Sequence, residues 1–166
     1  MDLNPLPLPR APVVAVCGAG RCDEQLAALA ESVGRGIAVA GAMLVCGGLG
    51  GVMEAACRGA RAAGGLTIGI LPGPDTRAAN PHVVVPIATN MGEARNVVIV
   101  HTADVVIAIG GEYGTLSEIA LARKAGRAVV GLHTWPLGEG PSGPHIIVVD
   151  TPEAAVAEAL ARARSR

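Results

Sequence analysis

Residues 105–122 read VVIAIGGEYGTLSEIALA, and this stretch decides how the chain folds. The apolar run 105–109 stops at Gly110-Gly111, and Gly114-Thr115 then open a segment whose apolar positions follow helical spacing. A strand that ends in glycines and runs into a helix start is a place to hold an anion. Glycine lets backbone N–H groups approach a ligand, and the helix start adds unpaired donors and partial positive charge. The same arrangement occurs earlier, in MLVCGGLGGVMEAACRGA at 43–60. Two such turns in one short chain point to a ligand crevice along one edge of a parallel sheet.

Working outward, residues 13–17 form an apolar run that ends in Gly18-Ala19-Gly20, the first strand and turn. Asp23 can cap a helix carrying Leu26, Leu29, Ala30, Val33 and Ile37 on one face. Strands follow at 43–46 and 66–71, with a helix between them whose inner face is Val52, Met53, Ala56, Cys57 and Ala60. After a polar loop at 72–81, an extended run at 82–87 contains Pro86, which suits a sheet edge. Residues 91–102 are β-branched but read as a helix, because the parallel strand at 105–109 needs a crossover before it. A strand at 128–132, a long loop at 133–144, a short strand at 146–150 and a helix opened by Thr151-Pro152-Glu153 complete the chain. Solidly apolar strands alternating with helices indicate one doubly wound, Rossmann-like α/β domain over 12–166, its mainly parallel sheet flanked by helices on both faces. Residues 1–11 read as a proline-rich tail.

Composition narrows the function. Apolar residues make up 51% of the 166 residues and the formal net charge is −1, so disorder and nucleic-acid binding are not expected. Tyr113 and Trp135 are the only aromatic residues, too few for a base-stacking nucleic-acid surface. Lys124 is the only lysine. A P-loop requires lysine after its glycines, and a pyridoxal-phosphate enzyme requires one for its Schiff base. Cys17, Cys22, Cys46 and Cys57 lack paired spacing and read as small reduced hydrophobes of a cytoplasmic protein rather than as metal ligands. No apolar run approaches the roughly 20 residues of a membrane helix.

The first turn, CGAGRC, lacks the third glycine of the dinucleotide fingerprint, and Cys46 stands where an acid would meet the ribose, so NAD binding in the usual manner is not expected. Glu118 has two readings. Thr115-Leu116-Ser117-Glu118 fits a capping box, and spacing alone slightly favours that role. A carboxylate one turn inside a phosphate-holding helix is also well placed to stabilise an oxocarbenium-like sugar. Arg95 lies in an otherwise apolar stretch, as a structural ion pair or as a clamp on phosphate or ribose. Glu93, Asn96 and Glu112 are supporting candidates, while Asp75 and Arg77 read as loop surface.

Four segments in order, CGGLGGVMEAACRGA (46–60), GGLTIGILPG (64–73), ARNVVIV (94–100) and GGEYGTLSE (110–118), resemble the LONELY GUY-like superfamily, in particular its bacterial branch labelled "possible lysine decarboxylase". The resemblance runs from about residue 13 to 135. It implies a nucleotide-binding Rossmann-like fold and a homo-oligomer (dimer or tetramer); no cofactor is expected to be required, and the Cys and His spacings suggest no metal site. Characterised members hydrolyse AMP or cytokinin riboside monophosphates to a base and ribose 5-phosphate. Their motifs are PGGxGTxxE and an Arg-Lys pair, so the resemblance makes Arg95 and Glu118 the catalytic pair. Phosphate or nucleotide contacts would come from Gly18, Gly20, Gly47, Gly48, Gly50, Gly51, Met53, Gly110, Gly111, Gly114 and Thr115.

This chain departs from the motif at three places: Ile109 replaces the proline, Glu112-Tyr113 fills the space of one residue, and Asn96 replaces the lysine. The glycine turns are also similar to those of molybdenum cofactor carrier proteins, which bind a pterin phosphate without converting it. The expected function is therefore binding of a phosphorylated small molecule. It takes the form of either a nucleoside 5′-monophosphate phosphoribohydrolase or a non-catalytic carrier of molybdenum cofactor or another phosphorylated ligand. Lysine decarboxylase activity is not expected.

Overall fold

The structure, a computed structural model, describes residues 10–141 and 143–164. Of the expected proline-rich tail only Arg10 and Ala11 fall within that range, and Arg10 pairs with Asp104. In chain order the elements are β1 (Val13–Gly18), α1 (Glu24–Val39), β2 (Met43–Cys46), α2 (Val52–Ala62), β3 (Thr67–Leu71) and β4 (Val85–Ala88). They continue with α3 (Asn96–Thr102), β5 (Val105–Ile109), α4 (Tyr113–Lys124), β6 (Ala128–Leu132), β7 (Glu139–Gly140), β8 (Gly143–Pro144), β9 (Ile147–Val149) and α5 (Pro152–Arg164).

Seven strands form one parallel sheet in the order β4-β3-β2-β1-β5-β6-β9. Pro86 lies in the edge strand β4, where its missing N–H costs no ladder bond on the open side. The central strands alternate between two cores because successive side chains leave a strand on opposite faces. Val14, Val16, Ile107 and Ile109 pack with Ala30, Val33 and Ile37 of α1, Ala56 of α2 and Ala155 of α5. Val13, Ala15, Val106 and Ala108 pack with Ile99 of α3 and Ile119 of α4. The central strands are thus apolar throughout because both of their faces are covered, which is the doubly wound α/β architecture.

Local chemistry sets the helix ends. Asp23 accepts from the Leu26 amide at 2.8 Å to cap α1, and Thr151 accepts from the Ala154 amide at 3.1 Å to start α5. Residues 92–102 are helical, as a 3₁₀ turn at Gly92–Arg95 leading into α3. The loop expected at 133–144 contains the small antiparallel pair β7–β8.

The capping box does not form. Helix α4 starts at Tyr113 behind Glu112, which makes no side-chain cap bond, and Thr115 is already its third residue. The capping-box pattern would start the helix at Thr115, after the last glycine of the turn. Gly114 is the second residue of α4, so glycine does not mark the boundary of this helix.

Helices α1 and α2 meet through glycine. A Cβ on Gly34 would lie 1.9 Å from the Ala56 carbonyl oxygen, and one on Gly59 would lie 1.9 Å from that of Glu31. The two backbones therefore touch at both points. We expect Gly59→Ala to lower stability although alanine favours a helix by about 1 kcal/mol. Overpacking against a backbone carbonyl costs about 1–3 kcal/mol or more. Thermal unfolding should show a melting temperature lower by several degrees, and an unchanged or higher value would refute so close a crossing.

Candidate functional site

The strand order reverses between β1 and β5, and a cleft of ≈290 Å³ opens at the carboxyl ends of the strands there. The turn after β1 and the turn before α2 meet backbone to backbone. The Val52 amide donates to the Ala19 carbonyl at 3.1 Å, and a Cβ on Gly51 would stand 2.3 Å from that oxygen. Only glycine lets the two turns close to this distance. The floor and walls are Gly18, Ala19, Gly20, Leu49, Met53 and Pro72, and the polar groups come from Glu93, Arg95, Asn96, Glu112, Gly114, Thr115 and Glu118.

The start of α4 supplies donors. Its first intrahelical bond runs from the Leu116 amide to the Glu112 carbonyl at 3.0 Å. The amides of Gly114 and Thr115 precede that bond and sit at the positive end of the helix dipole. The Thr115 hydroxyl is buried and has no hydrogen-bond partner.

Arg95 ends the 3₁₀ turn before α3 and is only 9% exposed. One terminal nitrogen donates to the Asn96 side-chain oxygen. The guanidinium lies across Gly47, where a Cβ would fall 2.6 Å from its Nη2 and 2.8 Å from the Met53 sulfur. Its Nε is buried without a partner. The ion pairs among the described residues join Arg10 to Asp104, Arg58 to Glu31, Arg77 to Asp75 and Arg162 to Glu158, so Arg95 belongs to none.

Glu118, one turn further into α4, is 7% exposed. Burial pushes its carboxyl up to about 7, against the opposing pull of the Arg95 guanidinium. Among the described residues Arg95 is the one cationic side chain lining the cleft, and it shares the lining with the carboxyl groups of Glu93, Glu112 and Glu118. Burial also raises the Cys17 thiol beneath, with the Glu118 charge adding to the effect.

Among the residues expected from sequence, Gly18, Gly20, Met53, Arg95, Gly114, Thr115 and Glu118 share the cleft wall. The others stand behind it. Gly47 packs under Arg95, Gly48 against Leu71 and Gly69, and Gly50 and Gly51 against Gly20. Gly111 lies against Thr115, and Gly110 lies against Leu26 while its carbonyl accepts from the Thr134 hydroxyl at 2.5 Å. Glu93, Asn96 and Glu112, the supporting candidates, all line the cleft. Ala19, Leu49 and Pro72 escaped sequence reasoning. Ala19 carried a signal, being enclosed by Gly18 and Gly20, but the reach of Pro72 depends on where β3 ends.

Asp75 and Arg77 pair with each other on the exposed 72–81 loop. Cys17, Cys46 and Cys57 are buried free thiols and Cys22 is partly buried. Among the described residues no group of His, Cys, Asp and Glu is arranged to hold a metal ion, and no helix is long and apolar enough to cross a membrane.

Comparison with known proteins places this chain among its relatives. An uncharacterised protein of Archaeoglobus fulgidus is 48% identical over 143 residues, 86% of this chain and 91% of that protein. The molybdenum cofactor carrier protein of Chlamydomonas reinhardtii superposes with a TM-score of 0.85 at 35% identity, over 95% of this chain and 100% of the other. The molybdenum cofactor binding protein of Rippkaea orientalis superposes with a TM-score of 0.82 at 34% identity, over 95% and 99% of the two chains. The description of the SLOG cluster4 family matches residues 11–156, from the residues before β1 into α5 and across every turn that builds the cleft. By that match the chain belongs to the SLOG cluster4 family.

Proposed function

We propose that the chain binds a phosphorylated small molecule in this cleft and carries it, with molybdenum cofactor as the first candidate. The observation behind the proposal is Arg95. A buried guanidinium outside any ion pair, with an unpartnered Nε, is costly unless an anion completes it. A phosphate group supplies that charge and has acceptors enough for Arg95, the Thr115 hydroxyl and the first amides of α4. A cleft of ≈290 Å³ falls at the small end of ligand sites, room for a phosphate and part of one flat ring system. Similarity to proteins described as binding or carrying molybdenum cofactor supports the choice of ligand.

In this scheme Gly18, Gly20 and Met53 shape the wall, and Gly47, Gly48, Gly50 and Gly51 hold the second turn beneath Arg95. Gly110 and Gly111 aim the start of α4. Asn96 fixes the Arg95 fork through its side-chain oxygen. Glu118 sets the pH response: protonated it tolerates an adjacent anion, and ionised it repels one.

A second reading rests on the presence of Arg95 and Glu118 in the same cleft. With a nucleoside 5′-monophosphate bound by its phosphate, an ionised Glu118 could stabilise the sugar cation as the N-glycosyl bond breaks and water adds. Incubation with AMP separates the two readings. Adenine release that disappears in Glu118→Gln establishes a phosphoribohydrolase, and bound AMP without release leaves the carrier. Mass spectrometry of ligand freed from freshly purified protein identifies the natural cargo.

Arg95→Met should weaken binding of AMP or of the cofactor at least about tenfold, the value of one charge-assisted contact. It should also raise the melting temperature of the free protein, because a buried charge is removed. Weaker binding together with lower stability would mean that Arg95 is structural.

Glu118 gives a pH prediction. Its folded carboxyl lies above the ordinary value of 4.5, so its contribution is full below pH 4.5 and is lost as pH rises to about 7. Glu118→Gln should match the wild type near pH 4 and exceed it above pH 7 by on the order of 3 kcal/mol. Phosphoryl-ligand affinity should fall through pH 7 in the wild type, and the fall should be shallower in the variant. Equal pH profiles for the two proteins would show that Glu118 does not titrate in the cleft.

A further inference from the structure

The chain contains one tyrosine and one tryptophan in 166 residues, and no phenylalanine. These two rings meet. Tyr113 and Trp135 have centroids 5.7 Å apart and planes inclined at 43°. They come from different segments, the first residue of α4 and the loop after β6, and both segments leave the carboxyl edge of the sheet.

Neither ring is among the residues that line the cleft, and Trp135 also faces a separate pocket beside Gly131 and Val149, but the pair is tied to the cleft through its neighbours. Tyr113 stands between Glu112 and Gly114, both of which line it. The Trp135 indole N–H donates to the Glu112 carbonyl at 3.3 Å, which ties the second ring to the same wall. Trp135 also packs its inner side against the α3/α4 core. Tyr113 does not serve the core, since it is 80% exposed. Folding alone gives no reason to hold so large a ring in water beside a cleft that lacks any other aromatic group.

We infer that Tyr113 and Trp135 form a stacking platform at the cleft rim for the flat heterocycle of the phosphorylated ligand. The ligand class is a bicyclic nitrogen heteroaromatic bearing a phosphate, a purine or a pterin, in preference to a sugar phosphate. The inference rests on the phosphate reading of the Arg95 cleft and adds to it the part of the ligand the phosphate site cannot distinguish. Aromatic side chains accept any flat π-face, so the platform selects for a ring without choosing which one. The phosphate anchors at one end, and the ring covers Tyr113 at the other.

Trp135 provides the readout, being the only tryptophan. Full-length protein is titrated with ribose 5-phosphate, AMP and 6-hydroxymethylpterin phosphate, following tryptophan emission and, independently, binding heat. The expected result is that one or both heteroaromatic phosphates change Trp135 emission and bind at least about tenfold tighter than ribose 5-phosphate. Tyr113→Ala should remove that advantage and leave ribose 5-phosphate affinity unaltered, while Tyr113→Phe should keep it. Whichever heteroaromatic binds tighter identifies the source.

Ribose 5-phosphate binding as tightly as both heteroaromatics would overturn the platform and leave the phosphate site standing. No binding by any of the three would overturn both. An altered subunit assembly in Tyr113→Ala, with wild-type ligand affinities retained, would assign the rings to a contact between copies of the chain and also overturn the inference.

Discussion

A guanidinium set nearly out of water and outside every ion pair among the described residues is the constraint around which the cleft is arranged. Arg95 can occupy its place only because Gly47 has no side chain, and Gly47 lies there only because the turns after β1 and β2 close on each other's backbone. That closure depends on β1 and β2 being adjacent and parallel, so that both turns leave the same edge of the sheet. The reversal of strand order between β1 and β5 then brings the start of α4 to the opposite wall. Charge, turn and topology are one chain of dependence: sheet order sets the turns, the turns admit the arginine, and the arginine is the ground for proposing that the cleft takes an anion.

The same economy of side-chain volume extends through the domain. With almost no aromatic residues the core is filled by Ala, Val, Ile and Leu, and helices must approach closely to leave no voids. The contacts of Gly34 with Ala56 and of Gly59 with Glu31 are the extreme of that approach. They bring α2 tight against α1, and α2 in turn carries Met53 into the cleft.

The strands were legible because a strand covered on both faces must be apolar at every position, and residues 13–17 and 105–109 have that pattern. The glycine turns were legible for the same kind of reason, since little else explains paired glycines between a strand and a helix. The role of each glycine was not. Gly110 lies against Leu26 and Gly111 against Thr115, and those partners are set by tertiary packing rather than by neighbours in sequence. The start of α4 was misplaced because a capping-box pattern and a helix already under way look alike when a glycine is allowed in the first turn. Arg95 and Glu118 were visible as polar residues in apolar surroundings, but their meeting in one cleft depended on the crossover through α3.

Glu118 carries the distinction between a carrier and a hydrolase, and its surroundings weigh on it in opposite directions. Freed from a capping box, its carboxyl faces the cleft instead of the backbone, as a reacting group would. Burial, however, raises its carboxyl to about 7, and an anion arriving beside Arg95 would drive it further toward the neutral acid. A neutral acid is a poor stabiliser of a developing sugar cation but a good neighbour for a resting phosphate. Asn96, where the superfamily motif has lysine, acts the same way: it orients the guanidinium without adding a second positive charge to hold Glu118 ionised. A protonated Glu118 thus suits retention of an anion better than turnover, which is the physical ground for proposing a carrier.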